Sequence, residues 1–88
     1  MKWYHGTDKE AWNRIKKEGI LFGIDKFDNN APRKTYLADS IEEAKCYGDV
    51  LLEVEYDPFI NKQMNNYTPN CWQIRVYEPI PIENINVL

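Results

Sequence analysis

Tyr4-His5-Gly6-Thr7, followed by Thr35-Tyr36-Leu37-Ala38-Asp39-Ser40 and Ala44-Lys45-Cys46-Tyr47, is the stretch on which the reading of this chain turns. Lys2 to His5 is rich in aromatics and predicts a short strand. Thr7-Asp8-Lys9-Glu10 has the form of a capping box, with the Thr7 hydroxyl and the Glu10 carboxylate set to satisfy free backbone N–H groups. A helix is therefore expected next, with Ala11, Trp12 and Ile15 on one face. Lys16 and Lys17 suit the negative end of its dipole, and Gly19 suits its stop.

Working outward, Phe22 to Arg33 reads as a loop, because Asp28-Asn29-Asn30-Ala31-Pro32 is turn chemistry without an apolar period. Lys34 to Ala38 predicts a second short strand. Ser40-Ile41-Glu42-Glu43 is another capping box, opening a short helix that runs through Tyr47 and ends at Gly48. From Val50 to Tyr56, Leu52, Val54 and Tyr56 alternate with Leu51, Glu53 and Glu55, as in a strand with one wet face. Asp57-Pro58 stops it, and Lys62 to Asn70 is polar and loop-like. Trp72, Ile74 and Val76 alternate with Gln73, Arg75 and Tyr77, giving a late strand that Pro79 and Pro81 break. Ile82 to Leu88 adds a last edge. Strands dominate the second half, so the expected class is α+β.

The composition narrows the function. With 88 residues, a single domain is expected. At 43% hydrophobic and 28% charged residues the chain is globular rather than disordered. A formal charge of −3 argues against non-specific nucleic-acid binding. No apolar run is long enough for a membrane span, and no signal-peptide layout is present. Cys46 and Cys71 lack metal-ligand spacing, so no metal is expected and both read as reduced thiols of a cytoplasmic protein.

The ordered motifs resemble the ADP-ribosyltransferase superfamily in its His-Tyr branch, which includes the poly(ADP-ribose) polymerase catalytic core and the rifampin ADP-ribosyltransferases. Tyr4-His5-Gly6-Thr7 matches the first motif of that branch, aromatic-His-Gly-Ser/Thr. Tyr36-Leu37-Ala38-Asp39 through Ala44 to Tyr47 matches the second, and Val50 to Val54 matches the apolar strand that follows. Trp72 to Tyr77 falls where the third should lie. The resemblance implies a split β-sheet with two short helices and NAD as co-substrate. His5 would hydrogen-bond the adenosine-side ribose, and the Gly6 backbone would clamp the nicotinamide amide. Thr7 would add a hydroxyl. Tyr36 and Tyr47 would stack on the two faces of the nicotinamide, and Arg33 would meet the pyrophosphate.

Two positions depart from the branch. Gln73 falls where a catalytic Glu is usual, and Ala44 where polymerase-like members often carry a Ser. The catalytic set implied is then His5, Tyr36 and Gln73, with Glu78, Glu53 and Glu55 as alternative sources of a carboxylate. The expected function is transfer of ADP-ribose from NAD to a protein or small-molecule acceptor. The alternatives are an inactive binder of NAD or ADP-ribose and a protein-interaction module built on the Trp and Tyr residues. An RNA 2′-phosphotransferase shares the implied fold, but the acidic balance opposes it. An Asn-, Ile- and Lys-rich chain of this size suits a bacterial or phage origin and a role in phage–host conflict.

Overall fold

A computed structural model describes residues 1–24, 27–28 and 30–88. The central element is β1 (Lys2–Thr7), two residues longer than the sequence suggests. It pairs antiparallel with β4 (Val50–Glu55) along its whole length, from Lys2↔Glu55 to Thr7↔Val50. On its other side it meets β3 (Thr35–Ala38) at the single register point Tyr4↔Ala38. β5 (Gln73–Val76) pairs with β3, and β7 (Ile85–Val87) closes the far edge against β4. The order is β5-β3-β1-β4-β7.

Alternation sorts the side chains of this sheet. Trp3, Leu37, Leu52, Val54, Ile74, Val76 and Ile85 are buried on one face. They pack against Ile15 of α1 (Lys9–Glu18), Leu21 of β2 (Ile20–Leu21) and Ile80 of β6 (Ile80–Pro81). These ten apolar side chains form one contiguous core. The opposite face carries Lys2, Tyr4, Gly6, Tyr36, Ala38, Glu53 and Gln73. It is covered at one end by α2 (Ile41–Ala44) and the 3₁₀ turn Lys45–Tyr47 that continues it. This is an α+β domain with a mostly antiparallel sheet and two short helices.

The caps differ between the two helices. Asp8, not Thr7, caps α1, its Oδ1 accepting from the Ala11 amide at 2.7 Å. Thr7 stays in the strand opposite Val50, so its hydroxyl is not consumed by the helix. Gly19 ends α1 in the left-handed region at φ 76°, where a Cβ would be strained. The Ser40 cap of α2 forms as expected, its Oγ accepting from the Glu43 amide at 3.3 Å.

Other expectations shift at their ends. Trp72 does not join Ile74 and Val76 on the core face but is 49% exposed, because the chain enters β5 from a turn closed by Cys71 N–H to Thr68 O. The late strand β5 ends at Val76, before Pro79 and Pro81, and Pro81 takes part in a further strand. It lies in β6 opposite Ile20, in a two-stranded sheet where its missing N–H is tolerated at an edge. Lys62–Met64 forms a 3₁₀ turn within the polar stretch. The Asp28 turn closes through Ala31 N–H to Asp28 O at 3.1 Å. Of the loop expected over Phe22 to Arg33, Asp25, Lys26 and Asn29 lie outside the described residues.

A close backbone approach sits under α2. A Cβ placed on Gly6 would collide with the Ala44 carbonyl oxygen. Backbone atoms cannot yield as a side-chain tip does, so overpacking here costs about 2 kcal/mol or more. Gly6→Ala is therefore expected to lower the melting temperature by roughly 10 °C. Thermal denaturation followed by circular dichroism checks this; an unchanged melt would mean that α2 moves away freely.

Candidate functional site

Beyond Tyr4↔Ala38 the strands β1 and β3 part, and the His5 side chain bridges the gap. Its Nδ1 lies 2.8 Å from the Tyr36 carbonyl oxygen. A carbonyl oxygen can only accept, so Nδ1 carries the proton. In the neutral ring Nε2 is then a lone-pair acceptor, suited to a hydroxyl donor. Burial pushes the His5 pKa below its ordinary 6.5, and the hydrogen bond to Tyr36 opposes that shift only in part. The imidazole is therefore neutral at pH 7, with its tautomer set by the backbone.

Two hollows meet at this gap. The smaller, ≈ 120 Å³, is lined by Tyr4, His5, Gly6, Tyr36, Ala38, Ala44, Tyr47 and Gln73. Its walls are mostly apolar and aromatic, and among the described residues no charged side chain lines it. The larger, ≈ 490 Å³, is lined by His5, Gly6 and Thr7 of β1, by Asp8, Ala11 and Arg14 on the α1 side, and by Gly23, Lys34 and Thr35. His5, Gly6, Tyr36 and Tyr47 line both. Tyr36 and Tyr47 are 44% and 57% exposed, and both line the two hollows, so their rings are accessible to a partner. Gln73 Nε2 donates to the Tyr47 hydroxyl at 3.3 Å, and both residues line the smaller hollow.

The structure brings together His5, Gly6, Thr7, Tyr36, Ala44, Tyr47 and Gln73 around the parted strands. The close approach of Ala44 O explains Gly6 as packing, and the same approach brings α2 over the cleft.

Arg33 does not join the set. Its guanidinium donates to Phe22 O at 2.6 Å and to Gly23 O at 3.3 Å, and it lies 3.5 Å from Glu18. It also stacks on Phe22. Those contacts hold the chain leaving β2 to the strand β3. Glu78 is likewise elsewhere, accepting from the Tyr56 hydroxyl at 3.1 Å and from Asn61 at 3.1 Å. Glu53 pairs with Lys2, and Glu55 with the N-terminal ammonium. Hence Gln73, and no Glu, stands at the small hollow.

Sequence reasoning missed Arg14, Lys34 and Asp8 as cleft residues. Arg14 follows Ala11 by one helical turn, so facing the same way was legible once Ala11 was placed on a rim. Lys34 directly precedes β3, but nothing in the sequence tells which side it faces.

Cys46 and Cys71 are both free thiols. Among the described residues no group of three or more His, Cys, Asp or Glu is placed to hold a metal ion, and no helix is long and apolar enough to cross a membrane. Comparison with protein-family models, with curated proteins and with solved structures gave no match.

Nitrogen-detected NMR provides the test of the His5 assignment. The expected result is an Nδ1–H tautomer and a titration midpoint below 6.5. The sign for stability follows. The folded pKa is depressed, so the unfolded state binds the extra proton. The contribution of neutral His5 is complete above pH 6.5 and is lost as pH falls through the lower, folded midpoint. His5→Gln should flatten that part of the stability–pH curve. An Nε2–H tautomer would contradict the bond to Tyr36.

Proposed function

We propose that the cleft binds NAD and supports mono-ADP-ribosyl transfer to an acceptor. The observation that carries this reading is the single neutral histidine, locked by Tyr36 O with its Nε2 lone pair free, beside two half-exposed tyrosine rings. A ribose hydroxyl is a donor that Nε2 can accept. The flat nicotinamide ring, cationic in NAD, suits the aromatic walls of the smaller hollow. A cation over an aromatic face gains about 1–2 kcal/mol. The resemblance of the motif order to the His-Tyr ADP-ribosyltransferases supports the same assignment.

NAD supplies a glycosidic bond whose leaving group is neutral nicotinamide. The chain's own residues then have distinct tasks. Tyr36 and Tyr47 hold the ring plane, and His5 orients the ribose. Gln73 offers a neutral amide near the reacting end, which orients a hydroxyl without adding negative charge. A second reading is favoured by that same amide. With Gln73 tied to Tyr47 and no carboxylate among the described residues lining the small hollow, the cleft suits recognition of NAD or ADP-ribose without turnover.

Calorimetric titration with NAD and ADP-ribose, run on the native chain and on Tyr36→Ala and His5→Ala, tests both readings. Each variant is expected to bind NAD roughly ten-fold more weakly. Transfer of label from NAD to any acceptor supports the transferase reading, and tight binding without nicotinamide release supports the second. No heat with either ligand would end both.

A further inference from the structure

We infer that Arg33 and Thr35 are positioning residues for the ligand of the larger hollow, acting through Gly23 on the part of its wall that carries Ile24; that this ligand is NAD rests on the reading above. β2 pairs with β6 and β3 belongs to the five-stranded sheet, so no ladder joins β2 to β3. The chain leaving β2 nevertheless runs hard against the start of β3, where a Cβ on Gly23 would collide with the Lys34 carbonyl oxygen. Side chains supply the hydrogen bonds that a ladder would have made. The Gly23 N–H donates to Thr35 Oγ1 at 2.9 Å. Arg33 Nε donates to the Gly23 carbonyl at 3.3 Å, and its Nη2 donates to the Phe22 carbonyl at 2.6 Å. The guanidinium is kept there by the Phe22 ring, 4.5 Å from its centroid, and by the Glu18 carboxylate at 3.5 Å.

Gly23 and Ile24 line the larger hollow. Ile24 is 46% exposed and lies outside the hydrophobic core, so apolar packing does not set its place. The polar contacts of Gly23 and Phe22 do. Arg33 itself is not among the residues that line the hollow, so its influence on a ligand there passes through the two carbonyls it holds. Thr35 is 1% exposed, and its hydroxyl oxygen is committed to the Gly23 amide. This differs from the phosphate contact that the sequence suggested for Arg33, because a guanidinium on the ligand would contribute charge, whereas here it contributes only the place of the wall.

Two readouts on the full chain test the inference. Hydrogen exchange of the Gly23 amide, without ligand, reads the clamp itself. Thr35→Val removes the acceptor and should speed that exchange roughly ten-fold or more, and Thr35→Ser should keep it slow. Calorimetric titration with NAD reads the consequence. Arg33→Met keeps the apolar stem over Phe22 without the donors. It should weaken NAD about five-fold, with the salt dependence of the native chain. Arg33→Lys, which retains a donor for one carbonyl, should fall between the two. Ile85→Val, in β7 at the far edge of the sheet, destabilises the core away from both hollows and should leave NAD affinity unchanged. Unchanged Gly23 exchange in Thr35→Val overturns the clamp. Native NAD affinity in Arg33→Met, or an equal loss in Ile85→Val, overturns the positioning role while the NAD reading stands. A shallower salt dependence in Arg33→Met puts the guanidinium on the ligand and overturns it as well. If the native chain binds no NAD, the NAD reading fails and the positioning role falls with it.

Discussion

The incomplete pairing of β1 with β3 is the constraint on which the rest depends. β1 uses its whole length against β4 but touches β3 at one register point, Tyr4↔Ala38. Had the ladder continued, Gly6 would lie opposite Tyr36 and the sheet would be closed. Instead the Tyr36 carbonyl loses its strand partner, and the His5 imidazole supplies the missing donor at 2.8 Å. The histidine thus restores the backbone's hydrogen bonding and leaves an opening at the same time. Structure and proposed chemistry are thus carried by one side chain using its two nitrogens differently.

The same economy holds across the gap. α2 can lie flat on the sheet because residue 6 has no side chain. That contact buries Ala44 and carries the chain onward to Tyr47 at the cleft. Ala44 lines the small hollow, where the chain keeps only a methyl group. The packing reading of Gly6 and its functional reading do not compete, since the packing puts the second tyrosine in place. On the α1 side, Asp8 takes over the cap that Thr7 might have supplied, which leaves Thr7 on the cleft wall.

The large elements were legible because their signals are local. Alternation of Leu52 and Val54 with Glu53 and Glu55 marked β4, and Ser40 with Glu43 marked the start of α2. The clustering of His5, Tyr36 and Tyr47 followed from motif order rather than from any period. What escaped depends on non-local pairing. β2 and β6 are two residues each, too short for periodicity, and exist because Leu21 and Ile80 complete the core from different parts of the chain. Trp72 obeys the alternation on paper, yet the turn before β5 rotates it outward. Arg33 and Lys34 are neighbours with opposite fates, one spent on two carbonyls and the other lining the cleft. Only the path of the chain between β2 and β3 separates them.

The hydrogen bond from Gln73 to the Tyr47 hydroxyl bears on timing. It joins two residues that line the small hollow, through one contact between partly exposed groups, 3.3 Å long. A bond of that kind holds by about 1 kcal/mol. Tyr47 is 57% exposed and sits on a single 3₁₀ turn, so its ring can swing outward on the ps–ns scale of surface side chains. A planar group seated there would have a brief residence, set by its own contacts and not by a gate.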